Sequence, residues 1–251
     1  MILGIMQPYF FPYLGYFDLI NYSDQWIVFD TPQFIRHGWI NRNRILHPNQ
    51  GWQYVMVPLG KHSQKAAICE VLISSSCDWR ERIAGQLQHY RGHAPFFSQT
   101  MGLLEECFRI ETDSISRLDI HILSTVCRFL GIHFQPQLFS EMNLPLGPIQ
   151  SPGDWALRIS SALGASEYVN PPGGEVLFDH HQFQEMGIRL AIRRFPTFVY
   201  PCRGYSFEPN LSILDVLMWN QAGDVKTFLD NQKASTMTNQ SKNALGENNG
   251  A

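Results

Sequence analysis

Residues 1–30 read MILGIMQPYFFPYLGYFDLINYSDQWIVFD, in which short apolar runs alternate with a turn and a helical stretch. Ile2–Met6 is an apolar run of the kind that forms a buried strand, and a Pro- and Tyr-rich turn at residues 7–13 follows it. An apolar helical stretch near Leu14–Tyr22 and a second apolar run at residues 26–29 come next. This order of strand, turn, helix and strand predicts a βαβ unit whose two strands are parallel.

The rest of the chain continues the alternation of strands and helices. Further strands are predicted at residues 53–57, 167–170 and 188–192, and helices at residues 80–90, 96–108, 114–130, 154–163 and 212–219. The clearest helix is 114–130, where apolar residues recur every three or four positions before Gly131. We therefore expect one α/β domain over residues 1–232, with a parallel-sheet core and a helical insertion at about residues 80–165. Residues 233–251 are rich in Ser, Thr, Asn, Gln and Gly, which predicts a disordered polar tail.

The composition limits the class of protein. The chain has 251 residues and is 44% hydrophobic, and its net charge of −3 argues against nonspecific nucleic-acid binding. No apolar run approaches the ~20 residues that cross a bilayer, and the first residues lack the basic segment of a signal peptide. The five cysteines are scattered and never in a CxxC spacing, so neither a disulfide framework nor a zinc site is expected. These features favour a cytoplasmic protein without membrane insertion.

The turn at residues 7–13 is a candidate site because it directly follows a predicted strand. Ligands of α/β folds bind at the carboxyl ends of parallel strands. Two prolines stiffen this turn, and Gln7, Tyr9, Tyr13 and Tyr16 offer hydrogen-bonding groups on an apolar wall. The alternative is that the aromatic side chains only pack the helix against the sheet.

A second candidate segment spans residues 30–44 and concentrates positive charge in a chain that is only 16% charged. Arginine holds carboxylate or phosphate with a planar fork, and the asparagines between the arginines add directional amides. Asp30 stands at a strand end, where it is a candidate base or positioning group. The alternative is a surface loop in which Asp30 pairs with Arg42 or Arg44. The candidate binding residues of this segment are Gln33, His37, Trp39, Asn41, Arg42, Asn43 and Arg44.

A third candidate is the turn Asn170-Pro171-Pro172-Gly173-Gly174. Asn170, Gly173 and Gly174 allow a close backbone approach, which suits an anion site or a substrate lid, although an ordinary tight turn fits equally well. The following His180 and His181 are adjacent in a predicted helix and point about 100° apart, so no metal site is expected. No GxSxG, GxxxxGK[ST] or GxGxxG motif occurs, which removes the main support for α/β-hydrolase, P-loop and Rossmann assignments.

Four stretches together resemble the WbqC-like family of bacterial proteins: MQPYFFPYLGYF at 6–17, GWINRNRI at 38–45, EYVNPPGG at 167–174 and FEPNLSILDVL at 207–217. The resemblance covers almost the whole expected domain and implies a role in the biosynthesis of bacterial surface polysaccharides or related glycoconjugates. Family members often carry two successive acids after the second strand. Here Thr31 follows Asp30, so a two-carboxylate metal site is not expected there.

The first segment is also similar to the strand-turn-helix of the HIGH-motif nucleotidyltransferases, which bind nucleotide phosphates at a helix N-terminus. Tyr13 and Tyr16 stand where that motif has histidines, so the nearby arginines would have to supply the positive charge. This similarity implies a nucleotidyltransferase-like core as one possible form of the parallel-sheet fold.

Our first functional hypothesis is a transferase for an anionic, nucleotide-activated amino sugar or acyl substrate. In it Arg42 and Arg44 hold phosphate or carboxylate, Gln7 and Tyr9 orient the reacting group together with Asn41, and Asp30 acts as base. An activated donor, ATP-derived or otherwise, would be needed to form an amide or ester. The alternatives are a non-catalytic binder of nucleotide sugars or glycans and a hydrolase with an unrecognised site. The hypothesis requires that the early tyrosines and the arginines surround one hollow.

Overall fold

The computed structural model describes residues 1–247, and side chains through residue 237. Its main sheet has five strands, which are all parallel and lie in the order β5-β2-β1-β6-β7. Their bounds are β1 Ile2–Met6, β2 Gln25–Val28, β5 Pro136–Leu138, β6 Glu167–Asn170 and β7 Arg189–Ile192. The predicted parallel-sheet core is confirmed, and so is the βαβ unit, because α1 (Leu14–Tyr22) connects the parallel strands β1 and β2.

The chain reverses its direction of travel across the sheet at β1. It proceeds from β1 to β2 and β5 on one side, then crosses back to place β6 and β7 on the other side. This is the order of doubly wound α/β sheets, in which the crevice at the reversal, here between β1 and β6, is the usual ligand position.

Close packing at β1 requires a glycine. A Cβ atom at Gly4 would lie 2.4 Å from the Trp26 indole and 2.8 Å from the Ser23 hydroxyl. Successive residues of β1 and β2 alternate between two apolar clusters, one on each face of the sheet. Leu3, for example, packs in the smaller cluster beside α5, whereas Trp26 packs in the larger one.

A separate antiparallel hairpin packs against the larger cluster. It consists of β3 (Arg42–Leu46) and β4 (Trp52–Met56). The sequence predicts β4 one residue late and treats residues 42–44 as part of a loop. The RNRIL sequence of β3 lacks a continuous apolar run because only one of its faces is buried.

The helices come mostly from the middle of the chain. They are α2 Trp79–Gln86, α3 Phe97–Cys107, α4 Ile115–Leu130, α5 Asp154–Ala162, α6 His180–Glu185 and α7 Ile213–Trp219. The predicted helix at 114–130 is present as α4, with the Ser114 side chain accepting from the Arg117 N–H and Gly131 ending it at φ 71°. The segment expected as a helical insertion also contains β5, an edge strand of the main sheet.

The last helix, α8, spans Ala222–Glu247. It continues through residue 233, where the sequence predicts the disordered tail to begin. The Lys233 ammonium donates to the Asn21 carbonyl oxygen at 2.7 Å, and Arg193 donates to the Thr236 hydroxyl at 2.6 Å. Residues 233–237 therefore contact the rest of the domain through polar side chains. The prediction of a disordered tail rests on the scarcity of apolar residues and does not take such polar contacts into account. Residues 248–251 of the predicted tail lie outside the described residues.

Candidate functional site

A cavity of about 690 Å³ opens at the carboxyl ends of β1, β2 and β6. Gln7 follows β1, Phe29 and Thr31 follow β2, and Asn170 ends β6, so the cavity lies at the reversal of the sheet. Its other wall comes from residues 149–152 and the first turn of α5.

The described lining of this cavity contains no charged side chain. It combines aromatic surface with amides and hydroxyls. The aromatic residues are Tyr9, Phe29, Trp155, Tyr168 and Phe178, and the other polar residues are Gln7, Thr31, Gln150, Ser151 and Asn170. The Phe29 and Trp155 ring centroids are 5.5 Å apart, so these two rings form one apolar wall.

The turn that carries Gln7 and Tyr9 is held through its backbone. The Tyr16 hydroxyl donates to the Gln7 carbonyl oxygen at 2.8 Å, and the Phe10 N–H donates to the Trp39 carbonyl oxygen at 3.0 Å. Phe11 has a φ of 40°, which is uncommon for a side-chain-bearing residue.

Two side chains from distant segments complete this support. The Asn43 amide donates to the carbonyl oxygens of Phe10 and Phe11 at 3.1 and 3.0 Å, and the Ser212 hydroxyl donates to that of Phe11 at 2.8 Å. The two N-terminal motifs of the sequence therefore meet, but through Asn43 rather than through the arginines.

The tyrosines of this turn are hydrogen-bond donors rather than bases. Burial, followed by the nearby Tyr13, raises the pKa of Tyr9, and burial raises the pKa of Tyr16 well above its ordinary value. Tyr9 lines the cavity, whereas Tyr16 is fully buried beneath it. At neutral pH the Tyr9 hydroxyl keeps its proton and can donate a hydrogen bond to a ligand oxygen.

The turn after β6 is also fixed internally. Asn170 accepts from the Tyr168 hydroxyl at 2.8 Å and donates to the Pro171 carbonyl oxygen at 2.7 Å. A Cβ atom at Gly174 would lie 2.5 Å from the Asn170 amide nitrogen, so a side chain there would displace the amide. Gly173 is exposed at the rim, and the short 3-10 helix Pro172–Leu177 borders the cavity.

The facing wall is organised by Asp154. Its carboxylate accepts from the N–H groups of Gln150 and Ser151 at 2.7 and 3.1 Å, and these bonds lower its pKa after the larger effect of the Ser151 hydroxyl. Gly153 lets this wall touch the turn after β6, because a Cβ atom at Gly153 would lie 1.9 Å from the Leu177 carbonyl oxygen.

Asp30 is buried and lies outside the cavity lining. Its carboxylate accepts from the Ser140 N–H at 2.9 Å, from the Ser140 hydroxyl at 2.7 Å and from the Ser116 hydroxyl at 3.5 Å. The alternative in which Asp30 pairs with Arg42 or Arg44 is wrong, because its carboxylate accepts hydrogen bonds from serines and both arginines donate to backbone carbonyl oxygens. In this arrangement Asp30 connects β2 to the segment after β5.

Arg42 and Arg44 do not face the cavity. The Arg42 guanidinium lies over the Tyr54 ring at 4.1 Å, and that of Arg44 lies between Trp39 and Trp52 at 5.4 and 5.1 Å. Because side chains alternate along a strand, the arginines lie on the opposite face of β3 from Asn43.

The structure thus brings together five of the expected site residues around one cavity: Gln7, Tyr9, Asn170, Gly173 and Gly174. The expectation that the arginines and the tyrosine turn share one hollow is not met. Asn41 donates to the Val57 carbonyl oxygen, Gln33 to that of Gln64, and Tyr13 borders a different, small cavity. The expected residues outside the main cavity are Tyr13, Tyr16, Asp30, Gln33, His37, Trp39, Asn41, Arg42, Asn43 and Arg44.

Sequence reasoning missed the facing wall. Trp155 follows Pro152-Gly153 at a helix start, which is a local signal, but only the strand order shows that this helix borders β1. Within residues 1–247 no cluster of three or more His, Cys, Asp or Glu side chains suited to a metal ion occurs. No helix within the same range is long and apolar enough to cross a bilayer.

Comparison with known proteins identifies the family. The model of the WbqC-like protein family matches residues 7–227, which includes both sides of the cavity. The chain belongs to the WbqC-like protein family. Among relatives, it is 29% identical over 232 residues to the uncharacterized protein Rv1507c of Mycobacterium tuberculosis, covering 90% of this chain and 96% of the relative. No solved structure matches the chain.

Proposed function

We propose that this WbqC-like protein binds a nucleotide-activated sugar, or a similarly activated acyl substrate, with the polar ring of the ligand in the cavity. The observation that carries the proposal is the uncharged lining of aromatic, amide and hydroxyl groups at the reversal of the sheet. Such a lining matches a ring that has apolar faces and hydroxyl or amide substituents at its edge.

The hydrogen-bonding groups for such a ring come from both walls. The side-chain amides of Gln7 and Gln150 and the hydroxyls of Tyr9 and Thr31 have no hydrogen-bond partner within the described part of the chain. Each is free to bond a ligand, and the Gln amides both donate and accept. The rings of Phe29 and Trp155 provide the apolar surface.

The anionic part of an activated ligand would have to lie outside this uncharged region. A depression of about 490 Å³ adjoins the cavity and shares Gln150 and Ser151 with it. Arg158 lines this depression, and its buried Nε atom has no hydrogen-bond partner among the described residues. We place phosphate recognition there, although Asp154 and Glu185 of the same depression limit how much negative charge it accepts.

The proposed chemistry is group transfer in which the protein acts by orienting the donor and the acceptor. Tyr9 and Tyr168 line the cavity with pKa values raised by burial, so neither is a base at neutral pH. Rate enhancement would come from holding donor and acceptor in a reactive orientation. The same lack of an acid or base in the described lining favours a second candidate, a non-catalytic binder of nucleotide sugars.

Titration calorimetry and thermal unfolding test the proposal with free sugars, nucleosides, ATP, acyl-adenylates and nucleotide sugars as probes. A nucleotide sugar or an acyl-adenylate at a hundredfold excess over its Kd would stabilise the fold by about 2.7 kcal/mol. Trp155→Ala and Gln7→Ala should weaken binding, and Trp52→Ala on the hairpin should not. Failure of every probe to bind, or equal binding by the cavity variants, would contradict the proposal. Transfer to an added acceptor distinguishes the transferase from the binder.

A further inference from the structure

The outer face of the β3–β4 hairpin is built from arginine and large side chains. We call the surface formed by Trp39, Arg42, Arg44, Trp52, Tyr54 and Met56 the hairpin face. Each guanidinium is stacked on aromatic rings, Arg42 on Tyr54 and Arg44 between two tryptophans. Stacking and bonds to backbone carbonyls fix the guanidinium planes: Arg42 donates to the Gly38 carbonyl oxygen at 3.2 Å, and Arg44 to that of Asn210 at 3.3 Å.

No carboxylate of the described residues forms an ion pair with the arginines of this face. The ion pairs of the described residues involve Arg117, Arg128, Arg189, Arg193, Arg194, Lys226 and His181, and none involves the hairpin arginines. A third guanidinium borders the face, because exposed Arg82 donates to the Met56 carbonyl oxygen at 2.7 Å. Each arginine has five N–H donors and uses only one or two here, so N–H groups remain for a partner on each, apart from the buried Nε of Arg44.

The shape and composition of the face suit a macromolecule better than a small molecule. Arg42, Arg44 and Tyr54 line none of the described cavities of appreciable depth, whereas small ligands bind in concave sites. Trp, Tyr, Met and Arg are the residues enriched in protein–protein interfaces, and Lys, Asp and Glu are depleted from them. Trp52 is 40% exposed and Met56 39%, so apolar surface is available beside the guanidinium groups.

The spacing of the arginines indicates how the negative charges of a partner are spaced. Arg42 and Arg44 are two residues apart on one strand, which places their Cα atoms about 7 Å apart. Alternate residues of an extended polypeptide have the same separation. We propose that the hairpin face is a docking surface for an extended polypeptide segment of a partner protein that carries carboxylates at alternate positions.

Fluorescence anisotropy tests this with labelled peptides of about ten residues, in which Glu alternates with Thr. We expect binding that weakens as the salt concentration rises from about 0.05 to 0.5 M, because the contacts are charged and partly exposed to solvent. A peptide with Gln in place of Glu should bind at least about tenfold more weakly. A peptide of equal composition with its Glu residues in one block should also bind more weakly.

Variants locate the binding. Arg42→Gln combined with Arg44→Gln should reduce affinity at least about tenfold, whereas the control Arg109→Gln with Arg117→Gln changes two exposed arginines away from the hairpin and should leave it unchanged. Hydrogen exchange of the wild-type protein should show peptide-induced protection at residues 39–56, which keeps the test valid if the hairpin variant unfolds. Absence of that protection overturns the proposal. So does tighter binding of a thymidine oligonucleotide of equal charge, which would indicate a nucleic-acid surface.

Discussion

The side-chain amide of Asn43 lies 3.0 Å from the carbonyl oxygen of Phe11, the residue whose φ of 40° bends the tyrosine turn. Asn43 is buried, and it belongs to β3 of the hairpin rather than to the main sheet. This contact transmits the position of the hairpin to the turn that carries Gln7 and Tyr9. The asparagine of the hairpin motif thus supports the cavity, while the flanking arginines face away from it.

Replacing Asn43 with Ala should lower the free energy of unfolding by about 1–3 kcal/mol, because two carbonyl oxygens lose a buried donor. Urea unfolding measures this loss. Asn49→Ala, at an exposed position of the hairpin turn, is the matched control and should change stability by less than about 0.5 kcal/mol. Equal stability of the two variants would show that the Asn43 contacts do not stabilise the turn.

Gly153→Ala should both weaken ligand binding in the cavity and destabilise the fold. The new Cβ would lie 1.9 Å from the Leu177 carbonyl oxygen, so the two facing loops must separate. We expect ligand affinity measured by calorimetry to fall about tenfold, with a stability cost of about 1–3 kcal/mol. Gly102→Ala is the control: it has open space around it in α3, and should stabilise the protein by about 0.5–1 kcal/mol without affecting affinity. Unchanged affinity in Gly153→Ala would refute this role.

Asp119 should make stability depend on pH. Both of its carboxylate oxygens are buried and have no hydrogen-bond partner in the described part of the chain, and burial raises its pKa well above the ordinary 3.8. Because the folded-state pKa is raised, the stabilisation is complete below pH 3.8 and is lost as the pH rises through the folded-state pKa.

The variant Asp119→Asn lacks this titration. It should therefore gain stability relative to the wild type as the pH increases from about 4 toward 9. Urea unfolding across this range measures the difference, with Asp113→Asn at an exposed position as the control. A difference that is constant with pH would mean that Asp119 titrates alike in the folded and unfolded protein.

Asp30 is expected to be a structural residue. Asp30→Ala should destabilise the protein by about 2–3 kcal/mol, because it leaves the buried hydroxyl of Ser116 and the part-buried N–H and hydroxyl of Ser140 without an acceptor. Asp30→Asn retains an acceptor for the Ser140 N–H and should preserve both most of the stability and cavity binding. If Asp30→Asn instead abolished product formation while leaving binding and stability intact, Asp30 would be the base of the original hypothesis.

Truncation after Gln232 should reduce the free energy of unfolding by about 1–3 kcal/mol, since it removes the hydrogen bonds of Lys233 and Thr236. The full-length double variant Lys233→Ala, Thr236→Val should lose a similar amount. Ser235→Ala, at an exposed position, is the control. Thermal unfolding compares the four proteins, and a truncated protein as stable as the full chain would show that these contacts contribute nothing.

The structure of residues 1–30 can be predicted from their sequence because each element there has a local signal. The apolar runs of β1 and β2 and the helical stretch between them all appear in the structure. β5, in contrast, is a three-residue edge strand with an exposed residue at its centre, and no local pattern marks it. β3 is missed because its apolar residues come only at its end.

Only the wall of the cavity formed by the strand ends can be predicted from the sequence, because only this wall has local signals. Gln7 and Asn170 follow apolar strands, and the ends of parallel strands share an edge of the sheet. That Trp155 lines the facing wall follows only from the order in which distant strands pair. Charge density alone misplaces the arginine cluster, because it ignores the two-residue alternation of a strand, which turns Asn43 inward and its neighbours outward.

The central position of β1 affects how the protein matures on the ribosome. Ile2–Met6 leaves the ribosomal tunnel before β2, which covers one of its edges soon afterwards. The other edge pairs with Glu167–Asn170, so one edge of an apolar strand stays open until that segment has been synthesised. We expect nascent chains that are stalled before Glu167 to associate with holdase chaperones, and to be released once that segment has emerged.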